Sequence, residues 1–226
     1  MSVTYHAYQN INYRFKDYEA ISEQWETAFS GYDPARVAEI LHLKYDDQFL
    51  YIDYYGEKFR LSLAMGFLQK EVRGEWVWDL YFNECMSVYH LLTYVKDCPR
   101  ISGEWVMFDC LDGVVSRRRT GPDPLLAPFS KTFSGRVPAL REACRRLGGM
   151  ELDLKGDLAY RFEAFPQIQL QLIFWDADED FPAQTQIYVD ACVGDYVHFE
   201  TLGCIMADLF QKLYALDAES ANSSGV

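Results

Sequence analysis

The sequence lacks any hydrophobic run long enough to cross a membrane. A membrane-spanning helix needs about 18 or more consecutive apolar residues, and no stretch of the chain approaches that length. The N-terminal stretch is polar and aromatic, without the basic flank, apolar stretch and small-residue cleavage site of a secretory leader. We therefore expect a cytoplasmic protein that does not bind membranes.

Closely spaced cysteine pairs are also missing. The six cysteines are scattered along the chain, and the closest of them are 12 residues apart. Zinc sites and iron–sulfur clusters usually take their thiolates from closely spaced pairs, because one turn then presents two ligands. We therefore expect no metal site of that kind. We predict instead that the cysteines are reduced and mostly buried as small apolar side chains.

Motifs that would identify a catalytic site are absent as well. The sequence contains no GxSxG nucleophile elbow, no HExxH zinc motif and no glycine-rich phosphate-binding loop. It therefore identifies no catalytic residue and no cofactor.

Basic residues are few, and the formal net charge at pH 7 is −13. Such an acidic surface repels phosphate backbones and anionic lipids, which argues against nucleic acid as a partner. The segment 112–147 is the exception, with 8 bases and 3 acids, whereas residues 151–226 hold 14 acids and 3 bases. This basic segment could dock on the acidic C-terminal half of the chain, on an acidic partner or on an anionic ligand.

The clearest structural pattern lies between Phe165 and Asp190. Apolar and polar residues alternate from Gln167 to Trp175, which is typical of a β-strand with one buried face. A second β-prone run, Gln184–Val189, follows an acidic connection that contains a proline. We predict a hairpin with one apolar face.

Hydrophobic periodicity and the positions of glycine and proline predict the other elements. The predicted helices are 17–30, a short turn opened by Asp33 and Pro34, 83–96, 125–133, 137–147 and 201–215. The further predicted strands are 41–44, 48–54, 58–63, 72–82, 103–108 and 158–164. Because strands and helices do not alternate regularly, we predict a single α+β domain with a largely antiparallel sheet flanked by helices.

This pattern divides the chain into three parts. Residues 1–32 are predicted to form a helical N-terminal extension, and residues 33–217 the α+β core domain. Residues 218–226 form a polar tail that we expect to be disordered.

The acidic connection of the hairpin is the strongest candidate for chemistry. Carboxylates at alternate positions could bind a hard cation through oxygen, as short acidic loops bind calcium or magnesium. The connection is not an EF-hand, because Phe181 and Ile187 stand where its glycine and its last glutamate would be. The alternative is a solvated loop packed over its own aromatic residues. The candidate residues are Trp175, Asp176, Asp178, Glu179 and Asp180.

Two other polar groups could take part in binding or catalysis. His198 and Glu200 precede the last predicted helix, and they could form an acid–base pair or could cap that helix. Arg117, Arg118 and Arg119 could clasp a phosphate, because guanidinium groups match its geometry, or could lie in a solvated loop.

Several segments resemble one bacterial protein family. The segments follow one another along the chain in the same order as in the family. They are 103–108 (GEWVMF), 139–143 with 147–149, 156–162, 165–170, 175–183 (WDADEDFPA) and 188–190 (YVD). The sequence is similar to the family of the domain of unknown function 3786 over residues 83–213, and less closely over 33–63. The resemblance supports the α+β fold and implies no catalytic residues. Some relatives carry an added iron–sulfur segment, which the spacing of the cysteines argues against in this chain.

Two functional hypotheses follow. The first is a non-catalytic module that binds a small molecule or a partner protein in a groove beside the Trp175–Ala183 loop, with the basic segment as a docking surface. The second is a metal-assisted enzyme of unknown reaction that uses Asp176, Asp178, Asp180 and His198. The first is favoured, because no nucleophile–base pair and no metal-ligand spacing stands out in the sequence.

Overall fold

The computed structural model describes residues 33–111 and 122–223. Within these ranges ten strands form two antiparallel sheets of five strands each, and five α-helices pack with them. The predicted α+β class with antiparallel pairing is therefore confirmed, although the strands are divided between two sheets. The predicted helix 17–30 lies outside the described residues.

The first sheet is a meander in which each strand pairs with the next. Its strands are β1 (Lys44–Tyr45), β2 (Phe49–Tyr54), β3 (Glu57–Ser62), β4 (Leu68–Val72) and β5 (Glu75–Val77). Two tight turns, Tyr55-Gly56 and Arg73-Gly74, have positive φ at both residues, which suits the right-handed twist of a hairpin. The inner side of the sheet is apolar: Leu50, Ile52 and Tyr54 of β2 are fully buried.

The second sheet has the strand order β6-β10-β9-β8-β7. Its strands are β6 (Trp105–Met107), β7 (Met150–Glu151), β8 (Leu158–Phe165), β9 (Ile168–Trp175) and β10 (Gln184–Asp190). The predicted hairpin is β9–β10, with Trp175 opposite Gln184. Because β9 is the central strand, Gln171 and Ile173 are buried as well, so that this strand is covered on both faces.

The helices are α1 (Pro34–Leu41), α2 (Phe82–Tyr94), α3 (Leu126–Phe133), α4 (Val137–Arg146) and α5 (Phe199–Ser223). One hydrophobic core joins them to both sheets. Tyr54 of the first sheet stacks on Phe165 of the second, with ring centroids 4.6 Å apart, and Phe129 of α3 stacks on Phe210 of α5 at 4.2 Å. None of the helices in the described ranges is long and apolar enough to cross a membrane.

The start of α1 agrees with the prediction, but its end does not. The Asp33 carboxylate accepts hydrogen bonds from the backbone nitrogens of Ala35 and Arg36 and so caps the helix, as expected. The predicted strand 41–44 begins too early, because Leu41 is the last residue of α1 and completes its buried stripe, and only Lys44 belongs to β1. His42 then ends the helix in the left-handed conformation, with φ of 53°.

The predicted strand 72–82 is also wrong in extent. The chain forms β4, reverses at Arg73-Gly74 and returns as β5, which is only three residues long. The first strand of this hairpin, Leu68–Val72, was not predicted, because its polar residues Gln69, Lys70 and Glu71 hide the alternation.

The last helix is longer than its sequence pattern indicates. The sequence predicts a helix that ends at residue 215 and a disordered tail from 218, whereas α5 continues to Ser223. Arg136 binds the Asp217 carboxylate at 2.8 Å and Arg146 binds that of Glu219 at 2.7 Å, so ion pairs anchor the polar last turns.

The cysteines are divided evenly between the interior and more accessible positions. Cys85, Cys144 and Cys204 lie on helices and are buried, as predicted. The other three are not fully buried, because they lie in connections: Cys192 is half-buried, and Cys98 and Cys110 are exposed.

Candidate functional site

Asp178 folds the acidic Trp175–Ala183 loop onto itself. Its Oδ1 accepts hydrogen bonds from the backbone nitrogens of Asp180 (2.9 Å) and Phe181 (2.7 Å). Its own backbone nitrogen donates to the carbonyl oxygen of Phe181 at 3.0 Å. Aspartate stabilises tight turns through hydrogen bonds of this kind. The Asp178 carboxylate therefore already accepts hydrogen bonds from the backbone of its own turn.

Asp176 fastens the same loop to its neighbours. Its Oδ1 accepts a hydrogen bond from the backbone nitrogen of Gly135, at 2.7 Å, in the connection between α3 and α4. Its own backbone nitrogen donates to Oδ2 of Asp157, just before β8, at 2.7 Å. Both hydrogen bonds bind the start of the loop to the body of the protein.

The other candidates in the loop are more accessible. Glu179 and Asp180 are exposed and Trp175 is half-buried. Phe181, expected beneath the loop, is 63% exposed. Among residues 33–111 and 122–223, no three histidine, cysteine, aspartate or glutamate side chains are grouped so as to hold a metal ion. The loop is thus a hydrogen-bonded turn with an aromatic side chain at its surface.

His198 lies far from this loop. The seven residues of β10 separate the loop from the turn that leads to His198, and they span about 23 Å at ~3.3 Å per residue. Helix α5 begins just after His198, and its Asp217, about five turns further on, lies on the side of the loop. Asp217 binds Arg136, the neighbour of the Gly135 that binds Asp176. The structure therefore does not bring together the loop carboxylates and His198, as the second hypothesis requires.

His198 does lie beside Glu200, as the sequence indicated. Its Nδ1 accepts a hydrogen bond from the backbone nitrogen of Glu200 at 3.4 Å and lies 3.8 Å from the Glu200 Oε2. The neighbouring His90 on α2 contacts the Thr201 hydroxyl through Nδ1 at 2.6 Å. Burial, with a smaller effect of His198, lowers the pKa of His90 to about 4, so that His90 is neutral at pH 7. This cluster ties α2 to the start of α5.

The described part of the basic segment docks on the acidic half of the same chain, which was one of the three alternatives. Its arginines pair with carboxylates, three of which belong to the C-terminal half. The pairs are Arg136–Asp217, Arg141–Glu151, Arg145–Glu142 and Arg146–Glu219. Arg117, Arg118 and Arg119 lie outside the described residues.

A buried polar network that the sequence analysis missed joins the first sheet to α2 and α5. At its centre is Asp208 of α5, which is only 6% exposed. The Tyr54 hydroxyl donates to Oδ2 of Asp208 at 2.7 Å and lies 3.3 Å from the Ser87 hydroxyl. Burial raises the pKa of Asp208 to about 7, and the hydrogen bond from Tyr54 offsets part of that rise.

Lysines hold the other carboxylates of this network. Lys70 of β4 lies 2.7 Å from a Glu84 oxygen and 2.9 Å from a Glu57 oxygen, and Lys212 of α5 also binds Glu57. Burial raises the pKa of Glu57, but Lys212 and Lys70 more than offset it and hold the pKa below its usual value. The arrangement pairs its buried charges with each other, so it can hold three elements together. Its members are far apart in the sequence, and no motif links them.

The outer side of the first sheet carries the second feature that was missed, which we call the aromatic face. It consists of Phe49 and Tyr51 on β2, Arg60 on β3, Phe67 and Trp76, all of them half-buried. Tyr51 lies 6.3 Å from Trp76 and Phe49 lies 6.3 Å from Phe67, measured between ring centroids. The period of two in β2 places these rings outside while its aliphatic residues point inward. The sequence alone indicates that positions 49, 51 and 53 share one face of this strand.

An open depression of about 480 Å³ lies beside α1 and β1, lined in part by Asp33, Arg36, Glu39 and Tyr45. The Gln167 side chain binds the last carbonyl of α1, so this region adjoins the start of β9, whereas the acidic loop follows the end of β9. The depression is therefore not the groove that was expected beside the loop.

The segments that resemble the family have clear structural roles. The carboxylate of Asp190 accepts hydrogen bonds from the backbone nitrogens of Gly103 (2.7 Å) and Ser102 (3.0 Å) and so joins two of the segments. Gly103 has a φ of +74°, which favours glycine. A Cβ at Gly149 would lie 2.6 Å from the Phe162 ring, which explains the need for glycine there.

Comparison with known proteins supports the resemblance to one family. No curated protein and no solved structure matches the chain. The sequence model of one family, described as a domain of unknown function, matches residues 33–212, from the cap of α1 to the middle of α5. The match includes both sheets and the whole of the Trp175–Ala183 loop. The chain therefore belongs to the DUF3786 family.

Proposed function

We propose that this chain is a non-catalytic binding module, and that it binds a partner protein through the aromatic face of the first sheet. The observation that carries the proposal is the set of large half-exposed rings around Arg60 on the solvent side of β2–β5. Met65, in the connection between β3 and β4, adds an apolar side chain that is 67% exposed.

The composition of this surface supports a protein partner. Protein interfaces are enriched in tyrosine, tryptophan, phenylalanine, methionine and arginine, and the residues that dominate binding energy are most often tryptophan, tyrosine and arginine. Contiguous exposed apolar groups on a folded protein commonly belong to an interaction site. The aromatic face combines these residue types on one side of one sheet.

The shape of the surface favours a protein over a small molecule. Small ligands usually bind in clefts that enclose most of their surface. The aromatic face is one side of a sheet, and a partner segment could cover several of its rings at once. The groove expected beside the Trp175–Ala183 loop stays a prediction, and of the loop's large apolar side chains only Phe181 is exposed.

We place this activity in the cytoplasm. The chain carries two exposed thiols, Cys98 and Cys110, and a reducing compartment keeps such thiols free. The net charge of −13 further supports a protein partner over nucleic acid.

Site-specific photo-crosslinking in the cells that make the protein tests this proposal. We would place benzoylphenylalanine at position 67 of the aromatic face and, as a matched control, at position 181 of the acidic loop. We expect a discrete cross-linked partner from position 67, abolished by Trp76→Ser, and none from position 181.

Each other outcome would contradict the proposal. A partner cross-linked only from position 181 would assign binding to the loop. A product of twice the mass of the chain would identify a second copy as the occupant. The absence of a product from position 67 would remove the evidence for a partner on this face.

A further inference from the structure

Arg60 is held in one orientation within the aromatic face. Its guanidinium carbon lies 4.0 Å from the centroid of the Phe49 ring and 4.4 Å from that of Trp76. Its Nε donates a hydrogen bond to Oε1 of Gln69, opposite it on β4, at 2.8 Å. The ring contacts and the hydrogen bond restrict the guanidinium before any partner binds, so less side-chain entropy is lost on binding.

Arg60 also differs from most arginines of the described chain in its pairing. Six arginines form ion pairs with carboxylates: Arg36, Arg100, Arg136, Arg141, Arg145 and Arg146. In residues 33–111 and 122–223, by contrast, Nη1 and Nη2 of Arg60 have no hydrogen-bond acceptor. The edge of the guanidinium that best matches a carboxylate therefore makes no hydrogen bond within this part of the chain.

The charges around Arg60 are mixed. Lys58 and Glu71, which face the same side, lie 3.7 Å apart. Asp46, which accepts a hydrogen bond from the Tyr51 hydroxyl at 2.7 Å, interacts electrostatically with Arg60. The acids that give the chain its net charge of −13 are spread over the whole molecule, and at physiological ionic strength their field is screened beyond about 8 Å. Recognition at this surface therefore depends on the Arg60 guanidinium and its flanking rings more than on a broad electrostatic field.

We infer that Arg60 binds a carboxylate of the partner, and that the partner segment combines an aspartate or glutamate with apolar side chains that cover Phe49, Phe67 and Trp76. This inference rests on the proposed function and names the chemistry of its partner. A carboxylate accepts two parallel hydrogen bonds from the guanidinium. Apolar groups on the flanking rings exclude water from the pair and strengthen it.

Selection of peptides from a random displayed library on the full-length chain tests the inference. We expect the enriched peptides to share an acidic residue flanked by aromatic or aliphatic residues. Their affinity should fall on the order of tenfold for Arg60→Gln and stay unchanged for Arg73→Gln, which removes an exposed arginine from the turn between β4 and β5.

A double-mutant cycle identifies the pair. Replacing the peptide's acid by its amide should cause the same loss on the wild-type chain and little further loss on Arg60→Gln. Arg60→Lys should restore only part of the affinity, because lysine keeps the charge but lacks the paired donors. Circular dichroism and thermal unfolding of each variant would confirm that the fold is intact.

The failures of the two proposals are distinguishable. Enriched peptides without an acidic residue that bind Arg60→Gln as well as the wild type, but lose binding to Phe67→Ser, would overturn the inference and leave the proposed function standing. Peptides that bind Phe67→Ser and Trp76→Ser as tightly as the wild type, or no enrichment at all, would overturn both.

Discussion

The acidic Trp175–Ala183 loop and the buried polar network both contain carboxylates, but their surroundings are opposite. The loop holds four acids within five consecutive positions, 176–180, at the surface. The network brings Glu57, Glu84 and Asp208 together from distant parts of the chain, with Glu84 and Asp208 buried and Lys70 between Glu57 and Glu84. In the loop Asp176 and Asp178 accept hydrogen bonds from backbone nitrogens, whereas in the network the buried carboxylates lose water and depend on specific side-chain partners.

The difference shows that the density of acids in a sequence is a poor guide to unusual chemistry. Water and backbone donors stabilise a surface carboxylate whether or not a ligand is present. A buried carboxylate is destabilised by the loss of water unless a cation or a hydroxyl donor replaces it. The properties of Asp208 therefore arise from packing that the local sequence does not encode. Three substitution experiments test this difference.

The largest effect should follow the removal of the lysine at the centre of the network. We expect Lys70→Met to lower the free energy of unfolding by about 3–5 kcal/mol, because it leaves Glu84, which is 3% exposed, without its cation. The matched control is Lys58→Met on the neighbouring strand, whose pair with Glu71 is exposed and should contribute no more than ~0.5 kcal/mol. Urea unfolding measures both. Equal effects would mean that burial does not distinguish these pairs.

The second effect is a pH dependence of stability that arises from Asp208. Its pKa of about 7 in the folded protein lies above the ordinary value of 3.8, so the folded state binds the proton more tightly than the unfolded state. The stability that this proton provides is fully present below the unfolded pKa and is lost as the pH rises through the folded pKa. As the pH rises from about 4 to 7, loss of the Asp208 proton should therefore lower the free energy of unfolding by a few kcal/mol. This corresponds to on the order of 1.4 kcal/mol for each unit by which folding raises the pKa.

Asp208→Asn should remove most of that slope, whereas Asp180→Asn in the exposed loop should leave it unchanged. Urea unfolding of the three proteins at pH 5 and pH 8 compares them directly. A slope that persists in Asp208→Asn would assign the titration to another group.

The smallest effect should come from the loop. Asp178→Ala removes two hydrogen bonds to the backbone nitrogens of Asp180 and Phe181 and should destabilise the fold by about 1 kcal/mol. Asp180→Ala, only two positions away, should change the unfolding free energy by less than ~0.5 kcal/mol, because its side chain is exposed. Thermal unfolding of both variants tests the assignment. A greater loss from Asp180→Ala would show that the loop's important carboxylate had been misidentified.

Much of the fold follows from local sequence patterns. Asp33 and Pro34 start α1, alternation identifies β9, and the stripe that includes Leu202 and Leu209 identifies α5. The errors have a common cause in tertiary contacts. Strand β4 was missed because the polar Lys70 points into the protein, where it binds Glu84. The predicted end of α5 comes too early because Asp217 and Glu219 are typical of a polar tail in sequence. In the structure they pair with Arg136 and Arg146 and belong to the helix.

The candidate sites divide in the same way. The sequence showed that His198 and Glu200 could pair, and they do lie together. It could not show that β10 separates His198 from Asp178, because that depends on where the connection after β10 leads. The sequence predicts strands over 48–54 and 72–82, but the meeting of their aromatic residues around Arg60 depends on the pairing of four strands.

The central claim is that the binding surface is the aromatic face and not the acidic loop. Amide NMR of the isotope-labelled full-length chain, titrated with the tightest peptide from the library selection, locates the surface directly. We predict that the largest chemical-shift changes fall on residues 49–51, 60, 67 and 76, with little change over 175–183. Changes concentrated on 175–183 would contradict the claim and return the function to the loop.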